Sequence, residues 1–380
     1  MRAAALVSVT ALLLAACNGA DEPAAPAPAP APSPDTAEPT APEPFYQPGD
    51  LVTVIVPFGE GGGTDVLARL YLPFLGEELG GVRFQVENLG GGGSIPGVNT
   101  WANQRQPEDG MTLLFHSATS QIPGVLGTEG VMWSFDDQCP IAGFPLGGVI
   151  YGKTDGPIQA PTQLARGRQT DRITYGGQAA EGGELRILLI FEMLGTDYNP
   201  VLGYGGRGPA RLAWEQGESD LSYDTTPAYL SRVQPLVDEG TAIPLMSFGF
   251  VAADGSIIAD PQLPDIPGPA EVYRRAFGRD IAEVGDAFNA YRAMALATIA
   301  LNKSLVGHCS SPDGAIDQLR AAADAINADA DATAALDAET GGYPILVGDE
   351  LDAAWELMTS VNTDSPEIQW MFDWIEDNFS

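Results

Sequence analysis

Basic residues are scarce in this chain of 380 residues. There are 18 Lys and Arg against 51 Asp and Glu, for a formal charge of -33, and the only lysines are Lys153 and Lys303. Nucleic acids and anionic membrane surfaces are bound through clustered cations, so this composition argues against both as partners. The hydrophobic share of 44% supports a packed core, and the length predicts two domains or two lobes.

Histidine and cysteine are also scarce. The chain has two histidines, His116 and His308, and three cysteines without a CxxC pair, so we expect no metal site. The GxSxG, HExxH and P-loop motifs are absent, and no cofactor is expected. The sequences His116-Ser117 and His308-Cys309 could suggest nucleophilic catalysis, but adjacent residues seldom face one another. We therefore predict that the protein is not an enzyme.

A short apolar run at the N-terminus ends in a cysteine. Arg2 precedes the run at 3–16, which is shorter than the roughly 20 residues that a membrane span needs. The sequence LAAC at 14–17 resembles the lipobox of bacterial lipoproteins, in which the cysteine is lipidated. An ordinary secretory signal with a chance cysteine is the alternative. We expect a lipoprotein signal peptide at 1–17, with Cys17 as the anchor to a membrane of the cell envelope.

Residues 18–48 are rich in alanine and proline, which alternate at 23–34. Proline fixes φ and removes a hydrogen-bond donor, so this stretch is predicted to be a disordered, semi-extended linker.

With Cys17 lipidated, Cys139 and Cys309 remain in an oxidising compartment. This favours a disulfide between them, and two separate buried thiols are the alternative.

Strands followed by loops and helices begin near residue 50. The β-branched run at 51–57 predicts a buried strand, and it leads through consecutive glycines into a helix that Thr64 or Asp65 would cap. Further strands are predicted at 82–87 and 112–115. This alternation predicts an α/β lobe whose ligand crevice lies at the carboxyl ends of its strands.

The glycine-rich loops after the first two strands suit an anion. Successive glycines let backbone N–H groups converge, and a following helix adds about half a positive charge at its N-terminus. A carboxylate can therefore be held without an arginine. Neither loop has a nucleotide-binding pattern, and tight turns without a ligand are the alternative.

Seven segments resemble, in the family's order, motifs of the Bug family, the TctC-like substrate-binding proteins of tripartite tricarboxylate transporters. They depart from the family pattern at Leu89-Gly90, where Arg-Pro is usual, and at Gly205, where a lysine is usual. The segments are 57–65 (PFGEGGGTD), 87–88 (EN), 109–113 (DGMTL), 174–178 (TYGGQ), 204–210 (YGGRGPA), 217–224 (GESDLSYD) and 263–267 (LPDIP).

The resemblance implies an α/β periplasmic-binding-protein fold of the two-lobed, Venus-flytrap kind, type II-like. The expected bounds are 49–147 for the first part of lobe 1, 148–252 for lobe 2, and 253–380 for the hinge crossing and the rest of lobe 1. The sequence independently predicts amphipathic helices at 351–361 and 368–379 that close onto lobe 1.

In the family the ligand carboxylate sits against the first two glycine loops, partly through water. Carried onto this chain, backbone amides and hydroxyls of lobe 1 would hold the carboxylate and an aromatic ring would pack on the ligand body. The lobe 1 residues expected in these roles are Phe58, Gly62, Gly63, Thr64, Ser94, Ser117 and Thr119.

Residues of lobe 2 would cover the ligand and contact its distal end once the cleft closes. Gly177, Gln178, Tyr204 and Asp224 are expected there. Each of the last two has an alternative: Tyr204 could be packed beside a turn, and Asp224 could pair with Arg207 or Arg211.

The implied function is capture of a small carboxylate, such as a di- or tricarboxylate, an aromatic acid or an amino acid. The protein would act as a lipid-anchored monomer in the periplasm and deliver the ligand to the permease subunits of such a transporter. A ligand-dependent envelope sensor that presents the solute to a signalling partner is the alternative.

Overall fold

The computed structural model of the chain describes residues 43–169, 171–251 and 256–379. The chain divides between Glu43 and Pro44, and the strands and helices of the fold lie in the unit that begins at Pro44. The predicted signal peptide, Cys17 and most of the predicted linker lie outside the described residues. The linker prediction is wrong at its C-terminal end, because Tyr46 is 1% exposed and its hydroxyl donates to the Gly110 carbonyl at 2.6 Å.

In chain order the described strands are β1 (Leu51–Val56), β2 (Arg83–Asn88), β3 (Thr112–Ser117), β4 (Gln138–Phe144), β5 (Gly148–Lys153), β6 (Ile173–Gly176), β7 (Tyr198–Val201), β8 (Leu221–Thr225), β9 (Ala242–Ser247), β10 (Phe250–Val251), β11 (Ile257–Ile258) and β12 (Lys303–His308). The first three strands alternate with helices as predicted, whereas β4 and β5, and β9 to β11, follow one another without a helix between them.

The α-helices lie between and after these strands. They are α1 (Gly63–Glu78), α2 (Ile95–Gln104), α3 (Ala118–Leu126), α4 (Leu185–Leu194), α5 (Arg207–Gln216), α6 (Thr226–Ala228), α7 (Gln234–Asp238), α8 (Pro269–Phe277), α9 (Asp286–Ile299), α10 (Ala315–Ala328), α11 (Ala330–Thr340), α12 (Gly348–Thr359) and α13 (Pro366–Phe379).

One five-stranded sheet has the order β2-β1-β3-β12-β4, and we call it with its helices the first lobe. Its first three strands are parallel, so their carboxyl ends meet at one edge. β3 is buried along its whole length, as expected of a central strand covered on both faces. β12 comes from far along the chain and inserts antiparallel between β3 and β4.

The second five-stranded sheet has the order β7-β6-β8-β5-β9 and defines the second lobe. Its parallel part is β6, β7 and β8, while β5 runs antiparallel to β8 and β9. The chain passes from the first sheet to the second in the short connection between β4 and β5, and it re-enters the first sheet at β12. Both sheets therefore have parallel strands whose carboxyl ends carry loops.

The helices after the second sheet differ from the prediction. α8 packs on β9 and on the 3-10 turn Pro161–Leu164, so the chain does not leave the second lobe directly after residue 252. α13 packs on α9, and the indole N–H of Trp374 donates to the Glu192 carboxylate of α4 at 3.1 Å. α13 therefore also contacts the second lobe, which the prediction did not include, whereas α12 packs on β4 of the first lobe as predicted.

The two remaining cysteines lie on neighbouring strands of the first sheet. Cys139 of β4 stands opposite Gly307 of β12, and Cys309 follows directly after β12. Their sulfur atoms are at bonding distance, 2.20 Å, in agreement with the predicted disulfide. The bond would tie the inserted strand β12 to β4 at the sheet edge.

Replacing both cysteines by serine is expected to lower the free energy of unfolding by about 2–4 kcal/mol, because a long closed loop is released in the unfolded chain. Urea unfolding of the double variant measures this. Treating the unmodified protein with reductant should give the same loss. Equal stability of all three samples would contradict a structural disulfide.

Candidate functional site

The first glycine loop connects β1 to α1 and is fixed by an acidic side chain. The prediction that Thr64 or Asp65 caps α1 is wrong, because the helix begins at Gly63 and no side chain caps it. The Asp65 carboxylate instead accepts the amide N–H of Gly61 at 2.8 Å and the side-chain amide of Asn88 at 2.9 Å. Asp65 therefore shapes the loop from its buried side.

The amides of this loop differ in their availability. The N–H of Gly62 donates to the carbonyl of Gly59 at 3.3 Å, so it is partly used within the turn. Gly63 and Thr64 are the first residues of α1, where N–H groups have no acceptor inside the helix. Gly63 is exposed, so an anion can approach from solvent.

The second glycine loop lies directly on the first. A methyl group added to Gly90 would lie 2.8 Å from the amide nitrogen of Gly59 and 3.0 Å from the carbonyl carbon of Phe58, so a larger residue does not fit. Phe58 is half-buried and packs against the core of the first lobe. The structure thus brings the two predicted carboxylate loops together.

Ser94 ends the second loop in a strained conformation. Its φ is 75°, which is uncommon for a residue with a side chain and is often found at functional sites. It is 3% exposed, and its hydroxyl donates to the carbonyl of Gly93. The 3-10 turn Gly92–Ser94 contacts α3, which begins directly after Ser117.

Ser117 and Thr119 lie where β3 turns into α3. The backbone N–H of Ser117 donates to the hydroxyl of Ser120 at 3.1 Å, which closes the turn. Thr119 is half-buried and faces the second lobe: a methyl group added to Gly182 would lie 3.4 Å from its Cγ2, and one added to Gly183 would lie 3.0 Å from its Oγ1. Thr119 therefore stands between the lobes.

The sequence reasoning missed a cation at this edge. Lys303, the first residue of β12, stands opposite Ser117 in the β3–β12 pairing and is 4% exposed. Its Nζ lies 3.7 Å from the position of a methyl group on Gly63, at the start of α1. None of the ion pairs among residues 43–169, 171–251 and 256–379 includes Lys303.

Lys303 and the start of α1 are both positive. Burial lowers the pKa of Lys303 to about 8, and the Glu339 carboxylate opposes that shift. A buried ammonium beside a helix N-terminus is unfavourable unless an anion lies between them. The available signal in the sequence was the rarity of lysine, but no local pattern placed residue 303 beside the glycine loop.

In the second lobe, Gly177 and Gln178 follow β6 as predicted, but the Glu184 carboxylate accepts a hydrogen bond from this loop. The amide N–H of Gln178 donates to the Glu184 carboxylate at 2.9 Å, and its carbonyl accepts from the amide of Gly203 at 2.8 Å. Glu184 is fully buried and also pairs with Arg207 at 2.9 Å. The loop is therefore fixed in place by contacts within the second lobe.

Tyr204 takes the alternative role that the sequence left open. Its backbone N–H donates to the Gly177 carbonyl at 3.2 Å, its ring lies beside Gly176, and its hydroxyl donates to Glu218 at 3.1 Å. It is a half-buried tyrosine packed beside a turn.

Asp224 also takes its alternative role. It is fully buried on β8, where one oxygen accepts from the Tyr151 hydroxyl at 2.7 Å and the other accepts from Arg211 at 3.0 Å. Both carboxylate oxygens are occupied, so the expectation that Asp224 contacts the ligand is not supported.

A second buried cation, Arg186 near the start of α4, also escaped the sequence reasoning. It lies beside Gly183, where Thr119 of the first lobe meets the second lobe. Arg186 sits within a nearly continuous apolar run, LRILLIF, and that run gave no signal beyond a buried helix.

His116, next to Ser117, is fully buried, and neither ring nitrogen has a hydrogen-bond partner within the described part of the chain. Burial lowers its pKa to about 3. The ring is therefore neutral at pH 7 and lies in the core, so it is not placed to act as a base on Ser117.

The buried His116 is expected to make the fold sensitive to acid. Its folded pKa is below the unfolded value near 6.5, so its contribution to stability is present above pH 6.5 and is lost as the pH falls towards 3. Between pH 8 and 5 the loss is about 2 kcal/mol. Urea unfolding of His116→Leu should show a loss of unfolding free energy between pH 8 and 5 that is smaller than the wild-type loss by this amount. His308→Leu is the control and should lose as much as wild type. An unchanged loss in His116→Leu would contradict the assignment.

Known proteins share this architecture. No protein-family model matches the chain. A curated relative, the UPF0065 protein in the tcbD-tcbE intergenic region of Pseudomonas sp. strain P51, is 25% identical over 230 residues; the match covers 59% of this chain and 63% of that protein.

Among solved structures, the chain is similar to the periplasmic binding protein BugD, with 18% identity and a TM-score of 0.61 over 87% of this chain and 98% of BugD. The chain has the fold of the Bug and TctC solute-binding proteins. Two further solved structures have this Bug/TctC fold. MatC of Rhodopseudomonas palustris with bound malate is 20% identical, with a TM-score of 0.59 over 86% of this chain and 99% of MatC. An R. palustris protein with adipate is 22% identical, with a TM-score of 0.60 over 87% of this chain and 98% of that protein.

Proposed function

We propose that the protein is an extracytoplasmic solute-binding protein of the Bug family that captures a small carboxylate between its two lobes. The observation that carries the proposal is the position of Lys303 Nζ, 3.7 Å from a methyl position on Gly63, the exposed first residue of α1. A carboxylate at this point would meet N–H donors, a helix N-terminus and an ammonium group together.

The fold supports the proposal from a second direction. Fold neighbours of this chain have been solved with malate and with adipate, which are both carboxylates. In the present chain, one edge of the first sheet carries the two glycine loops, Ser94, Ser117 and Lys303. With a net charge of -33 the protein as a whole repels anions, so an anionic ligand needs a local group of positive charges such as the start of α1 and Lys303.

Ligand-driven closure is the mechanism that this arrangement favours. A carboxylate ligand held by the first lobe would also contact the second lobe near Gly183, where Thr119 already meets it. Contacts to both lobes favour the closed state over the open one, since a ligand shifts a conformational equilibrium by its difference in affinity for the two states. The closed protein would deliver the ligand to the permease subunits of a tripartite tricarboxylate transporter, with Cys17 as the lipid anchor in the periplasm.

A thermal-shift screen tests the proposed function. The purified chain is first unfolded and refolded to remove any retained ligand, and then is screened against carboxylic acids, amino acids and sugars. A ligand at 100 times its dissociation constant adds about 2.7 kcal/mol, which raises Tm by several degrees. Stabilisation by carboxylic acids supports the proposal. Stabilisation by sugars alone, or by no compound, would contradict it.

A further inference from the structure

Arg186 is a buried cation that forms no ion pair among the described residues. It is 2% exposed, and its Nε and Nη1 have no hydrogen-bond partner in the part of the chain that the structure describes. The other arginines of this lobe that lie nearby are paired, Arg207 with Glu184 and Arg211 with Asp224. Buried polar groups are nearly always hydrogen-bonded, so an unpartnered guanidinium calls for an explanation.

The surroundings of Arg186 offset its charge only in part. Its guanidinium lies 5.1 Å from the centre of the Phe248 ring, and the hydroxyl of nearby Tyr291 donates to the Phe248 carbonyl. Burial lowers the pKa of Arg186, and Tyr223, Tyr291 and the Glu184 carboxylate, which is paired with Arg207, oppose that shift. A guanidinium stays charged in proteins, so the cost of desolvating it remains in the free protein.

The Nη2 atom of Arg186 lies near polar groups of both lobes. A methyl group on Gly183 would lie 3.0 Å from Thr119 Oγ1, 3.2 Å from the Tyr223 hydroxyl and 4.0 Å from Arg186 Nη2. Thr119 is two residues beyond Ser117, which stands opposite Lys303. One cation therefore lies on each side of the junction between the lobes, Lys303 in the first and Arg186 in the second.

We infer that Arg186 binds a second carboxylate of the ligand, together with the hydroxyls of Tyr223 and Thr119, and that the ligand is a dicarboxylate. The planar guanidinium offers two parallel N–H donors to one carboxylate, from Nη2 together with either Nε or Nη1, and the last two have no hydrogen-bond partner among the described residues. This inference rests on the proposed function, in which Lys303 and the loop amides take the first carboxylate. The two lobes would then be bridged by the two ends of one dianion.

Calorimetric titration with matched acids tests the inference. Adipate is compared with hexanoate, and succinate with butyrate, so that each pair differs by one carboxylate at constant carbon number. Wild-type protein should bind a dicarboxylate at least 100-fold more tightly than its monocarboxylate partner. Arg186→Met should lose about 100-fold in dicarboxylate affinity, as expected when one partner of a buried charge pair is removed, while monocarboxylate affinity changes less than threefold. Arg172→Met, at an exposed arginine of the same lobe, is the control and should bind like wild type.

Unfolding measurements separate binding from a structural role. Because Arg186 is buried and forms no ion pair among the described residues, ligand-free Arg186→Met should be at least as stable to urea as wild type. A destabilised variant that loses both acids equally would overturn the inference. Equal binding of mono- and dicarboxylates by wild type would also overturn the inference, and this result does not depend on whether Arg186→Met folds. If no carboxylate binds wild type, the proposed function fails as a whole; if carboxylates bind without this selectivity, only the role of Arg186 fails.

Discussion

Replacing Lys303 with methionine is expected to weaken carboxylate binding about 100-fold, a loss of roughly 2.7 kcal/mol. The ammonium group is the charge that faces the start of α1, and methionine keeps a similar chain length without it. Since the buried ammonium has no ion-pair partner among the described residues, its removal should leave the unfolding free energy of the ligand-free protein equal or higher. The variant should therefore lose affinity for carboxylates without losing stability.

The chain offers a matched control, because Lys153 is its other lysine. Lys153 lies in the second lobe, where its Nζ donates to the Glu215 carbonyl at 3.0 Å and lies 5.7 Å from the Trp214 ring centre. Lys153→Met should bind carboxylates like wild type in calorimetric titration. Lys303→Met with unchanged affinity would contradict the assignment of Lys303 to the site.

Carboxylate affinity is expected to fall steeply above pH 8. The Lys303 pKa is lowered to about 8 in the ligand-free protein, and a bound carboxylate favours the charged form and raises it. Below pH 7 the lysine is already charged in both states, so the affinity is flat. Above pH 8 binding must take up a proton, and the dissociation constant rises about tenfold per pH unit until the pKa of the bound form is reached.

Titrations from pH 6 to 9.5 measure this dependence. At pH 9, calorimetry in buffers of different ionisation enthalpy should show uptake of nearly one proton per ligand, which falls to nearly zero at pH 6.5. Lys303→Met should show a flat profile over the whole range. A wild-type dissociation constant that stays constant to pH 9.5 would show that Lys303 is not coupled to the ligand.

Much of the first lobe could be predicted because its signals are local. The β-branched run before Pro57 predicted β1, and the glycines after it predicted the loop that precedes α1. Helical periodicity predicted α12 within a few residues. These features depend on residues that are close in sequence, so periodicity and turn chemistry are enough to place them.

The parts that sequence reasoning missed depend on long-range contacts. β12 pairs with β3 although about half of the chain separates the two strands in sequence, and that pairing alone brings Lys303 to Ser117. Arg186 lies within an apolar helix whose sequence pattern indicates only burial, and its position beside Thr119 depends on how the two lobes meet. Asp224 was assigned to the ligand because its motif resembles a family motif, whereas Arg211 and Tyr151 occupy it here.

The proposed function depends on a negatively charged carboxylate that binds at the start of α1 beside Lys303. Calorimetric titration of the refolded protein with adipate and with adipamide, its neutral diamide of the same length, tests this point without any substitution in the protein. We expect adipate to bind at least 100-fold more tightly than adipamide at pH 7. Equal affinity for the two compounds, or binding of adipamide alone, would contradict a site built for a carboxylate.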